Sequence, residues 1–167
     1  MIIYFSIYTL FGFFMESIYI SLFKKRWISS GLLKGPFIPL YGFGSIILII
    51  LSPYIKNSIL ITIIVGGISL TLLEYVSSLY IEKNFKQKCW DYSKHNFNYQ
   101  GRICLIYSII WSILSYLFIY HIHPFMSQLT TINTDALNVI SLIYIFFIMK
   151  SYVTKICISK KNGLDIS

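Results

Sequence analysis

The sequence predicts an all-α, polytopic transmembrane helical bundle of about five spans, with its N-terminus outside and its C-terminus in the cytoplasm. Three observations carry this expectation. Of 167 residues, 56% are hydrophobic and only 12% charged, with a mean hydropathy of +0.70, whereas a soluble domain of this size needs far more charged surface. Apolar runs of about 20 residues recur, the length that crosses a hydrocarbon core of about 30 Å as a helix. Lys and Arg collect in alternate connections between those runs.

The runs are continuous rather than short and alternating, so helices and not barrel strands are the spanning elements. The first span, 2–23, stops at Lys24, Lys25 and Arg26. The second, 37–54, ends beside Pro53, and the turn YIKNS leads into the third, 58–81. The fourth, 103–122, stops at HIHP, where Pro124 should not continue a helix. The fifth, 135–158, begins at Thr134 and Asp135, residue types that cap helix N-termini. Residues 1–158 are thus expected as one transmembrane domain, with 159–167 as a short cytoplasmic tail.

Charge asymmetry orients the bundle. Lys24, Lys25, Arg26 and Lys34 occupy the first connection, and Lys83, Lys86, Lys88, Lys94 and Arg102 the third. Lys155, Lys160 and Lys161 lie at the C-terminus, while Lys56 is the only basic residue in the other two connections. Basic loops stay in the cytoplasm. The net charge of +8 therefore reads as a topology signal, basic loops against anionic lipid, rather than as nucleic-acid binding. The N-terminus lacks the basic region, short apolar core and cleavage site of a signal peptide. Cys89, Cys104 and Cys157 fall at the cytoplasmic face, where disulfides are not expected. Cys89, His95 and Cys104 match no common zinc spacing, and no metal or cofactor is expected. His121 and His123 lie on different faces of a helix end and read as interfacial.

The informative residues are acids inside spans. Glu16 precedes Lys24 by eight residues, and Glu74 precedes Glu82 by eight. At 1.5 Å per residue, each carboxyl lies about 12 Å from the cytoplasmic end of its helix, so the two share one depth. Each belongs to a stripe of small and polar residues: Thr9, Gly12, Glu16 and Tyr19 on the first span, and Gly67, Thr71, Glu74 and Ser78 on the third. Such stripes let membrane helices approach closely. Helix packing accounts for the Gly and Thr residues but poorly for two acids, because an ionised group at mid-membrane costs about 2.5–3.5 kcal/mol and ordinarily meets a partner or lines a cavity.

Arg102 opens the fourth span and offers a bidentate partner, either for Asp91 in the preceding loop or for Glu74. Trp90, Tyr92, Phe97 and Tyr99 suit an interfacial segment. The entry to the second span, GLLKGPFIPLYGFG, is dense in Gly and Pro, which predicts a broken or re-entrant start, tolerated where protein or water satisfies the backbone. Tyr41 should then reach the depth of the glutamates. The expected site is a cytoplasm-facing polar cavity lined by Glu16, Glu74, Arg102, Asp91, Tyr41, Thr71 and Tyr19, with Trp90, Tyr92 and Lys34 as its interfacial lid.

Four stretches, GFFMESIY, GLLKGPFIPLYGFG, LEYVSSLYIEK and WDYSKHNFNYQGRICL, resemble in order and spacing the bacterial membrane-protein family labelled putative ABC-transporter type IV, or CmpB-like. The resemblance runs over about residues 4–124. The chain differs at Asn96, where the family commonly has Pro, and at Lys34, where it commonly has an aromatic residue. The resemblance implies a transport role in the bacterial plasma membrane. The chain has no G-x-x-x-x-G-K-[ST] phosphate loop, so a transporter would take ATP hydrolysis from a separate ATPase subunit. Five helices are few for a complete pathway, which points to a homodimer or another partner. Two alternatives stand beside transport: a membrane-embedded enzyme acting on a lipid headgroup, with a buried carboxylate as base and Arg102 on phosphate, and a scaffold whose acids pair helices.

Overall fold

The computed structural model describes residues 1–131 and 133–164. Its helices are α1 (Ile2–Lys24), α2 (Pro39–Ile55), α3 (Ile59–Phe85), α4 (Leu105–Leu117), α5 (His123–Thr130) and α6 (Thr134–Leu164). A small antiparallel hairpin, β1 (Asn98–Tyr99) with β2 (Ile103–Cys104), precedes α4. Four helical stretches are long and apolar enough to cross a membrane: Ile2–Lys24, Ile59–Phe85, Leu105–Thr130 and Thr134–Ser159. The fifth apolar helix, α2, has 17 residues, or about 26 Å at 1.5 Å each, and falls short of the hydrocarbon thickness.

The expected broken entry accounts for that shortness. Residues 27–38 form no regular helix; Gly31 and Gly35 take φ of 105° and 119°, and helix resumes only at Pro39, a favoured first-turn position. At the other end of the bundle, Pro124 does not end the fourth span. Phe118–Ile122 forms a π-helical turn joining α4 to α5, and its wider i→i+5 bonding removes the clash that a proline ring makes with the carbonyl four residues back. The third span also runs a turn past its predicted end, because Glu82 and Lys83 leave oil but remain helical. Likewise α6 continues to Leu164, so most of the predicted tail 159–167 is helix, and 165–167 lie outside the described residues.

Small residues set which helices touch. A Cβ on Gly67 of α3 would lie 1.9 Å from Ser112 Oγ and 2.9 Å from Ser112 Cα on α4. A Cβ on Gly12 of α1 would lie 2.2 Å from Cγ of Tyr41 on α2. Such contacts bring backbones together in a bundle where oil supplies no driving force between helices. α2 packs against both α1 and α3. α6 lies along α1, where Ser6 Oγ donates to the Ser141 carbonyl at 3.4 Å, and its far end reaches α3 through the paired hydroxyls of Tyr80 and Tyr152. The buried apolar cluster of Tyr8, Leu48, Ile55, Leu70, Phe118 and Ile119 fills mainly the half of the bundle away from the hairpin.

Gly67→Ala should destabilise the detergent-solubilised protein by about 1–3 kcal/mol, the ordinary cost of overpacking against backbone. Ile68→Ala, on the 56% exposed neighbouring side chain, should stay within about 0.5 kcal/mol. Thermal unfolding followed by helical circular dichroism separates the two, and equal melting would remove Gly67 from the α3–α4 contact.

Candidate functional site: two acids beneath a folded loop

Glu74 of α3 is 3% exposed. Tyr92 Oη donates to its Oε1 at 2.9 Å, and Trp111 Nε1 donates to its Oε2 at 3.0 Å. One donor comes from the loop and the other from α4, so each carboxylate oxygen is answered by a different element. Bonds to a charged group are worth about 1.5–3 kcal/mol each, enough for the pair to offset the cost of holding the acid in oil.

The loop that brings Tyr92 is folded on itself. Tyr92 N–H donates to the Gly101 carbonyl at 2.8 Å, and Trp90 Nε1 to the Arg102 carbonyl at 2.8 Å. Gln100 and Gly101 have φ of 55° and 67°, the paired left-handed conformation of a tight hairpin turn. The Tyr92 ring stacks on Tyr107 of α4 at 4.5 Å, and His95 sits edge-on to both rings at 5.8 Å. Burial pushes the Tyr92 phenol well above its ordinary range, and the negative charge of Glu74 adds to the rise, so the hydroxyl remains a donor.

Glu16 of α1 is half-buried and accepts from Ser30 Oγ at 2.5 Å; Ser17 Oγ in turn accepts from Ser30 N–H at 3.0 Å. The irregular segment after α1 is thereby pinned back onto that helix. Tyr41 opens α2 with its ring on Gly12, 6.0 Å from the Trp111 ring, and Glu16 and then Glu74 are the charges that its hydroxyl senses most. The two acids therefore do not face each other across a shared helix contact. Among the described residues α1 and α3 are not packed as neighbours; α2 lies between them, and Tyr41 is the link.

The other expected site residues divide. Thr71 lies partly buried one turn before Glu74, and its Oγ1 has no hydrogen-bond partner among the described residues; the same holds for Thr9 Oγ1 on α1. Tyr19 is about half exposed, and its hydroxyl lies near enough to influence that of Tyr107. Arg102 pairs with neither Asp91 nor Glu74. Its guanidinium meets Glu82 and donates to Ser78 Oγ at 3.1 Å, because the extra turn of α3 carries Glu82 to the point where Arg102 leaves the hairpin. Asp91 instead organises the loop: its Oδ1 accepts from Ser93 N–H at 3.0 Å, a bond that holds its carboxyl below the usual range, and Lys88 lies 3.9 Å away. Lys34 sits apart, exposed, beside α6.

Sequence reasoning passed over Trp111, Tyr107, Ser30 and Glu82. Trp111 had a signal, since an indole N–H within an apolar helix needs an acceptor. Glu82 had one too, lying one turn beyond Ser78 on the stripe that holds Glu74. Ser30 sits in an aperiodic segment and had none.

Cys89 tests the arrangement, because it draws Glu16 into the same loop. Cys89 is exposed as a residue, yet packing around its thiol raises it above the ordinary range; the Glu16 carboxylate adds to the rise and Lys155 opposes it. Removing a negative charge favours the thiolate. In a chain carrying Cys104→Ala and Cys157→Ser, Glu16→Gln should therefore move the pH profile of Cys89 alkylation to lower pH and speed labelling at pH 8. An unchanged profile would place Glu16 away from the loop.

The family model described as putative ABC-transporter type IV matches residues 3–156, a span that takes in most of α6 as well as the four stretches quoted above. No curated protein and no solved structure matched the chain. With its apolar helices and a family match over nearly its whole length, this multi-pass membrane protein belongs to the putative ABC-transporter type IV family.

Proposed function

We propose that the chain is the solute-handling membrane component of a transporter in the bacterial plasma membrane, and that its cargo meets Glu16 and Glu74 in a polar site opening to the cytoplasm beneath residues 86–104. The observation that carries this reading is Glu74 itself: an acid enclosed within a transmembrane helix, with one of its two donors on a loop. Intramembrane ionisable groups held this way mark substrate or proton pathways. The surrounding rings of Tyr41, Tyr92, Tyr107 and Trp111, with two carboxylates, favour a cationic or hydrogen-bonding solute, since aromatic faces attract positive charge. The buried, unpartnered hydroxyls of Thr9 and Thr71 supply further polar contacts. With Tyr92 on Glu74 the site is occluded, and release of that bond is the step that opens it.

Topology follows from the basic connections: the 86–104 loop and the C-terminus lie in the cytoplasm. The chain has no nucleotide-binding loop, so coupling to ATP would come from a separate ATPase subunit, and a homodimer would supply the helices that a complete pathway needs.

Two outcomes are expected. Glu74→Gln and Glu16→Gln should each abolish the solute-dependent change that overexpression produces in cellular metabolite profiles, with protein levels in the membrane unchanged. A lipid profile that changes on overexpression, and reverts in the same variants, would favour headgroup chemistry instead; unaltered activity in both variants would leave the acids as helix packing. Separately, a membrane-impermeant maleimide should label Cys89 only after cells are permeabilised, and labelling of intact cells would invert the topology.

A further inference from the structure

A second place in the molecule combines an apolar cleft with only basic charged residues at its border. The segment before α2 and the C-terminal half of α6 enclose a cleft of about 290 Å³ whose charged lining is Lys34, Lys150 and Lys155, with no acidic residue. Phe37 and Phe147 line the same cleft. None of the three ammonium groups pairs with a carboxylate among the described residues. The cleft surface itself is mostly apolar, and the charged residues that border it are all basic, so an anionic group with an apolar body meets no opposing charge there.

The cleft walls are fixed by hydrogen bonds that leave the ammonium groups free. Tyr144 Oη donates to the Pro36 carbonyl at 2.5 Å and Ser151 Oγ to the Lys34 carbonyl at 3.0 Å. Thr154 Oγ1 donates to the Lys150 carbonyl at 2.8 Å, and Phe37 packs edge-on against Tyr144 at 5.2 Å. The segment is thus clamped along α6. Phe147 stands one turn before Lys150 and Ser151 on α6, so along the helix the aromatic residue of the cleft precedes the basic ones.

We propose that this cleft binds the phosphate headgroup of an anionic phospholipid, with the lysines on the phosphate and Phe37 and Phe147 against the glycerol and upper acyl carbons. Basic pockets at the ends of transmembrane helices recognise such headgroups, and lysine serves phosphate as a mobile point charge. A free phosphate would use the lysines but leave the two rings without a matching surface. None of these residues belongs to the acid site, so this inference and the transport reading fail independently.

Native mass spectrometry of the full-length protein, equilibrated with equal amounts of phosphatidylglycerol and phosphatidylcholine, provides the test. We expect at least tenfold preferential retention of phosphatidylglycerol, abolished by combined Lys34→Gln, Lys150→Gln and Lys155→Gln and kept by the three Lys→Arg changes together. If the triple Gln chain does not fold, Lys150→Gln alone should lower the preference about threefold. Equal retention of the two lipids, or a preference that survives loss of the lysines, overturns the proposal. Displacement of the lipid by equimolar inorganic phosphate also overturns it, making the cleft a small-anion site.

Discussion

The arrangement depends on one requirement: a carboxylate buried in an apolar bundle needs a donor for each oxygen. Glu74 obtains them from Tyr92 and Trp111. Trp111 reaches it because Gly66 and Gly67 let α4 lie flush on α3 beside Ser112 and Ser115. Tyr92 reaches it because the loop closes on itself through Gly101, Asp91 and Trp90 and stacks on Tyr107. Close helix approach and loop folding are thereby tied to the same acid. The two donors differ in kind. Trp111 is part of a packed helix, whereas Tyr92 stands on a loop, so in the proposed transport role the phenol is the donor that a solute would displace.

Glu16 is held differently. Its partner, Ser30, lies in the irregular segment before α2, and that segment is in turn clamped to α6 by Tyr144 and Ser151. The acid site and the lysine cleft therefore both rest on one short stretch of non-helical backbone, 27–38. Its glycines and prolines permit a path that neither α1 nor α2 could follow as a helix.

Much of this was legible in the sequence. Apolar run length located α1, α2, α3, α4 and α6 but not α5, which lies beyond the stop expected at Pro124, and Gly/Pro density located the broken entry to α2, because both are local consequences of solvation and backbone sterics. That Glu16 and Glu74 lie inside long apolar helices was legible as well. Which helices are neighbours was not: stripes on α1 and α3 indicate surfaces meant for close contact, but the partners proved to be α2 and α4. The pairing of Arg102 failed for a related reason. Hydropathy marks where oil ends rather than where a helix ends, and the added turn of α3 presented Glu82 first. The hairpin left a faint trace, a single Gly101 after Gln100, too short to stand out beside Trp90 and Tyr92.

The π-helical turn at Phe118–Ile122 offsets everything beyond it. One additional residue in a turn rotates the following side chains by about 100° relative to an unbroken α-helix. α4 accordingly directs Ser112 and Ser115 at α3, whereas α5 directs His123 at Tyr8 and Thr130 at Tyr4, both on α1. A single membrane crossing thus grips α3 near the loop and α1 at the opposite end, acting as a twisted brace between them.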